Sequence, residues 1–145
     1  MTCTKEPISA PGIAGTKIFM AIGALLGEPH SFMQDLESLF WYMFWICIHC
    51  TGPDGKSRRS EFEDWNFLST ERLAKEKAGQ VSKGIFDDMD THVTAYCKPL
   101  IPYLKELHEV CFPGGVRWPK EDRGLYSRMK AVFEKAREDS KILVG

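Results

Sequence analysis

From Ser31 to Cys50 the chain reads SFMQDLESLFWYMFWICIHC, and its apolar residues run together instead of alternating with polar ones. Twelve consecutive residues, Leu39 to Cys50, carry no formal charge when histidine is neutral. A membrane-spanning helix needs about 20 such residues. Asp35 and Glu37 stand just before the run and Thr51-Gly52-Pro53 ends it, so the pattern predicts a buried core helix and no span. Ser31-x-x-Gln34 fits a capping box, in which each side chain satisfies a free backbone donor at the helix start. A helix apolar on nearly every side lies inside a protein, with other elements around it. Leu39, Trp41, Phe44, Trp45 and Ile48 are therefore assigned to the core.

The flanking pattern is more broken. Met1 to Gly15 reads as irregular, because Pro7, Pro11, Gly12 and Gly15 oppose regular structure. Lys17 to Leu26 suits a short helix stopped by Gly27 and Pro29. Thr51 to Ser60 is a polar loop turning at Gly-Pro-Asp-Gly. Glu61 to Leu68 carries Phe62, Trp65 and Phe67, which are expected to pack on the core without regular periodicity. Ser69 or Thr70 caps a helix running to about Ala78 and ending at Gly79. Phe86, Met89, Val93 and Cys97 then recur at helical spacing, interrupted by Pro99 and Pro102. Leu100, Leu104, Leu107 and Cys111 form another stripe, and Pro113-Gly114-Gly115 breaks it. The last helix begins near Asp122, with Leu125, Met129, Val132, Phe133 and Ala136 on one face. Strand signals are weak, so the fold class is mainly α.

Length and composition fit this picture. The 145 residues suit one domain, and 43% hydrophobic with 27% charged residues is a globular balance. A net charge of -1 supplies no basic field for nucleic acid or an anionic membrane. Five cysteines without an apolar leader argue for reduced thiols inside the cell, cytoplasmic or nuclear.

The short motifs give no chemistry of their own. Cys47-Ile48-His49-Cys50 lacks the second ligand pair of a zinc site, and its place at a helix C-terminus is the wrong end for a redox CxxC. Core cysteines are the expectation. Gly55-Lys56-Ser57 resembles the end of a phosphate loop, but Cys50 stands where that motif needs glycine. His30, His49, His92 and His108 are scattered, and Asp87, Asp88 and Asp90 lack calcium-loop spacing.

Gly15-Thr16-Lys17-Ile18-Phe19-Met20-Ala21-Ile22 resembles the end of a protein-kinase activation segment. His30-Ser31-Phe32-Met33-Gln34-Asp35-Leu36-Glu37-Ser38-Leu39-Phe40-Trp41 resembles the start of the large buried helix of the kinase C-lobe. Taken together with FWICIHCTGPDGK, the wording is similar to the fungal-type protein kinase family. The resemblance runs from Gly15 toward the C-terminus and is specific over Gly15 to Gly55. It implies a helical C-lobe fragment over 15–145, after an irregular segment 1–14. It also implies roles for two residues. Asp35 matches the aspartate that binds backbone amides of the catalytic loop, and Thr16 matches the threonine that supports the catalytic aspartate. On residue type alone, Asp35 also suits the positive end of the helix dipole, and Thr16 suits a turn. Gly23 occupies the place of the family's activation-segment glutamate, which implies that a partner arginine, Arg117 or Arg123, lacks its ion-pair mate.

Phosphoryl transfer needs a phosphate-covering loop, a lysine, a catalytic aspartate and metal ligands. No two glycines here are two apart, no histidine precedes arginine, no aspartate precedes phenylalanine, and Asn66 is the only asparagine. The expectation is a fragment that is non-catalytic by itself, with ATP and magnesium bound only by a complete family member. The alternatives are one piece of an active kinase and an unrelated helical scaffold. Without the elements that surround the long helix in kinases, Phe32, Leu36, Phe40 and Trp41 are expected in part to face solvent. Self-association, or binding of a chain that supplies the missing part, would cover them.

Overall fold

The computed structural model describes residues 17–139. The segment 1–14, Gly15 and Thr16 lie outside the described residues. Among these residues the architecture is helical, with no strand and one isolated bridge between Cys50 and Ser57. After a helical turn at 17–19, six α-helices follow among the described residues: α1 Ile22–Leu25, α2 Phe32–His49, α3 Thr70–Val81, α4 Lys83–Asp87, α5 Ile101–Cys111 and α6 Leu125–Glu138. Shorter 3-10 helices span Glu61–Phe67, Met89–His92, Ala95–Leu100 and Pro113–Gly115.

Local chemistry sets most boundaries. Ser31 caps α2 by accepting a hydrogen bond from the Met33 amide at 3.1 Å. Only this half of the expected capping box forms, because the Gln34 amide donates to Pro29 O at 3.1 Å instead of returning to Ser31. Ser69 caps α3 in the same way through the Arg72 amide. That helix continues through Gly79 to Val81, two residues beyond the expected stop. The expected helix over 17–26 is split: residues 17–19 are helical, and the chain extends at Ala21 before α1 begins.

Helix α2 is the centre of the core. Phe40, Trp41, Phe44, Cys47 and Ile48 are fully buried against Leu73 of α3, Phe86 of α4, and Leu104 and Leu107 of α5. Phe40 meets Phe112 edge to face, with ring centroids 5.2 Å apart, and His108 stacks on Phe86 at 3.9 Å. His108 Nε2 donates to Val81 O at 2.6 Å, fastening α5 to the end of α3. Phe86, Met89, Val93 and Cys97 are all buried, as their spacing predicts, although the backbone there is a chain of short turns.

At the break after α5, Gly115 has φ +77°, and a Cβ there would sit 2.6 Å from the Lys83 amide. A side chain is excluded by both backbone conformation and space. Three core expectations need correction. Leu39 is 45% exposed, Trp45 is half-buried, and Phe67 is 84% exposed. Leu39 lies on the more exposed side of α2, with Tyr42 and Ile46. Phe67 is the last residue of its 3-10 helix, beyond the turn that inserts Phe62 and Trp65. Among the described residues, no helix is long and apolar enough to cross a membrane.

Candidate functional site

The stretch Met20-Ala21-Ile22 is held from two sides by buried charged side chains. Glu37, one turn into α2, accepts from the Ile22 amide at 2.8 Å and from Trp41 Nε1 at 2.9 Å. Lys77 of α3 donates from Nζ to Met20 O at 2.6 Å. Its ammonium lies 4.7 Å from the Trp41 ring centroid and 5.9 Å from that of Trp65. Both side chains are buried, Lys77 completely. Burial pushes the Lys77 ammonium down to about 7, opposed by the Glu37 carboxylate. Charge-assisted hydrogen bonds and aromatic faces offset part of the cost of burying these groups. The motif reading did not find either residue. The sequence signal was slight: a carboxylate at the start of an apolar helix and a lysine four residues after Leu73.

One turn further on, the helix α1 packs Gly23 against an ion pair. A Cβ at Gly23 would lie 2.6 Å from Glu28 Oε1 and 2.9 Å from Arg117 Nη2. Those two groups bind each other at 2.6 Å, and the guanidinium holds the Glu28 carboxyl below its ordinary range. The expectation that the arginine lacks a mate is therefore corrected for Arg117. Its partner carboxylate arrives from five positions later in the chain, through the space that the absent side chain leaves.

Asp35 lies in the first turn of α2, exposed, with Oδ2 3.5 Å from His30 Nε2. Thr16 lies outside the described residues. The structure thus brings Gly23 and Arg117 together and places Asp35 apart from them, in the first turn of α2, facing outward.

The more exposed side of α2 carries Leu39, Tyr42 and Ile46, which are 45%, 50% and 46% exposed. Spacings of three and four residues put them on one stripe. Of the four side chains expected in part to face solvent, Phe32 is exposed at 37% and Leu36 is half-buried, whereas Phe40 and Trp41 are buried. Phe19 stacks on Tyr42 with centroids 3.9 Å apart. Beside the stripe, Leu36 and Leu39 with Tyr126, Met129 and Phe133 of α6 line an apolar groove of about 340 Å³.

Cys97, which sequence spacing left isolated, sits against the end of α2, where its Sγ is 3.7 Å from Ile46 O and from Cys50 O. Among the described residues, no group of three or more His, Cys, Asp or Glu side chains is arranged to hold a metal ion.

The fungal protein kinase family profile matches residues 2–47 of this chain. The match includes the Met20–Ile22 stretch, Gly23, α1 and nearly all of α2, and it ends at Cys47. No curated protein and no solved structure matches the chain.

Proposed function

We propose that this chain is a fungal-kinase-like C-lobe fragment that acts as a non-catalytic binding module, presenting the outer stripe of α2 to another polypeptide. The observation that carries this reading is Leu39, Tyr42 and Ile46 exposed together on a helix whose opposite side is buried in the core. Contiguous apolar surface of this kind marks interaction sites. The absence of glycine-loop, HRD and DFG wording supports the non-catalytic part. Asp35 and Thr16 match family positions whose partners, the catalytic loop and its aspartate, this chain does not carry, and Arg117 with Glu28 takes the place of the activation-segment ion pair. The partner is a second copy or a chain that supplies the remaining kinase elements, within a reducing compartment.

Two measurements test the reading together. Titration calorimetry of the purified chain with Mg-ATP is expected to show no saturable site, and micromolar binding would overturn the non-catalytic assignment. Light scattering during size-exclusion chromatography is expected to show self-association, or a complex with a co-expressed polypeptide bearing the missing lobe. A monomer that binds neither would overturn the binding role.

A second reading, one piece of an active kinase, is favoured by the specific wording of residues 15–47. Transcript sequence upstream of Met1 tests it: an in-frame glycine loop with HRD and DFG would support it, and a stop codon would remove it.

A further inference from the structure

The loop 116–124 is fastened along its length to the linker before α2 and to the start of that helix. Arg117 Nη2 donates to Glu28 Oε1 at 2.6 Å, Ser31 Oγ donates to Glu121 Oε2 at 2.8 Å, and the Asp122 amide meets Met33 Sδ at 3.4 Å. Asp122 is further engaged by the Gly124 amide at 2.9 Å and by Arg128. Between this loop, the start of α2 and the end of α5 a cleft of about 340 Å³ remains. Its apolar wall is Met33, Val110, Val116 and Leu125, with the Trp118 side chain among them.

The polar groups of the cleft are unequally satisfied. Both of its carboxylates, Glu121 and Asp122, hold the donors just named, and Glu28 neutralises Arg117. Lys120 and Arg123 are exposed at the rim and form no ion pair among the described residues. Within the loop, Arg117 Nε and Trp118 Nε1 are buried without a hydrogen-bond partner. Each carries an N–H that can only donate, and a buried donor without an acceptor is costly. The unmet demand is therefore one-sided: two free positive charges and two N–H groups, all lacking an acceptor.

We propose that this cleft binds a small amphipathic oxyanion, an apolar body carrying a carboxylate or a phosphate. The body lies against Met33, Val110 and Leu125. The head group accepts from Trp118 Nε1 and Arg117 Nε, within the field of Lys120 and Arg123. Arg117 and Trp118 are half-buried side chains, and engaging the head group turns their N–H groups toward it. A neutral ligand of the same shape leaves the two rim cations without a counter-charge, so charge complementarity selects the anion over its amide. A cationic ligand finds both carboxylates already engaged. The cleft shares no lining residue with the exposed stripe of α2, and the inference does not rest on the binding role proposed above.

The test is nuclear magnetic resonance of the isotope-labelled full chain, whose four tryptophans, Trp41, Trp45, Trp65 and Trp118, each give one indole N–H signal. Trp118→Phe identifies the Trp118 signal. Phenylacetate, phenyl phosphate and the neutral phenylacetamide are titrated separately. The expected result is a saturable downfield movement of the Trp118 signal with one or both anions and little response to the amide, the tighter anion naming the head group. Loss of the N–H in Trp118→Phe should weaken anion binding, read by calorimetry, about tenfold. Lys120→Gln and Arg123→Gln, both at exposed positions, should each weaken it about two- to fivefold, and they keep the test open if Trp118→Phe does not fold. No saturable movement with either anion would overturn the proposal. So would an equal response to phenylacetamide, a response confined to Trp41, Trp45 or Trp65, or unchanged affinity when Lys120→Gln and Arg123→Gln are combined.

Discussion

Lys77 gives the residue scale its clearest consequence. Its ammonium titrates near 7 in the folded chain against an ordinary 10.5. Between those values the unfolded chain holds a proton that the folded chain has released, so stability rises with pH across that window and is lowest below it. At about 1.4 kcal/mol per pH unit for full linkage, the gain from pH 7 to 9 is on the order of 2–3 kcal/mol. Urea unfolding at a series of pH values checks this, with Lys77→Met expected to flatten the slope. A parent profile that is flat or falls over pH 7–9 would contradict it. This residue was illegible beforehand because α3 is polar in sequence, and only Trp41 and Trp65, distant along the chain, close over the ammonium. The Glu28–Arg117 pair was hidden for the same reason: its members are 89 positions apart.

At the scale of elements, α2 divides into two sides of the same composition. Phe44 is fully buried and surrounded by Trp41, Phe62 and Trp65 rings at 5.3 to 5.9 Å. Phe44→Ala should cost about 3–5 kcal/mol, a large share of a typical domain stability of about 5–15 kcal/mol. Leu39→Ala, on the exposed side, should change stability by no more than about 0.5 kcal/mol. Equal unfolding midpoints for the two variants would show that the helix is rotated from the orientation described here. Caps and stops were readable in advance, because Ser31, Ser69 and the Pro113-Gly114-Gly115 break act on neighbouring backbone. The exposed side was not, because Leu39, Tyr42 and Ile46 are as apolar as Phe40, Phe44 and Ile48, and periodicity needs a contrast to report a direction.

For the whole molecule, the exposed stripe of α2 should govern association. Ile46→Asp places a charge at the C-terminal end of the exposed stripe without entering the core. It should reduce self-association or partner capture at micromolar concentration while leaving the thermal midpoint nearly unchanged. Multi-angle scattering after size exclusion reads the first property and a thermal melt the second. Unchanged oligomerisation in a folded variant would move the interface elsewhere. Of the four side chains expected in part to face solvent, Phe32 is exposed and Leu36 half-buried. Phe40 and Trp41 found partners in Phe86, Phe112 and Trp65, which lie outside the segment that carries the family wording. The family profile likewise stops at Cys47, before any of the residues that complete the core.

Gly23, Glu28 and Arg117 share one small volume, so a side chain at position 23 would displace the ends of the Glu28 and Arg117 side chains. Returning a glutamate by Gly23→Glu would drive its Cβ into Glu28, 2.6 Å away, and into Arg117, 2.9 Å away. Removing the present carboxylate by Glu28→Ala would strand the guanidinium. Each single exchange should lower the thermal midpoint, yet the double exchange should fall less than the sum of the two, because the new side chain enters the room that the old one vacates. A four-member mutant cycle measures this coupling, and strict additivity would deny it. The glycine at position 23 and the glutamate at position 28 are expected to change together or not at all.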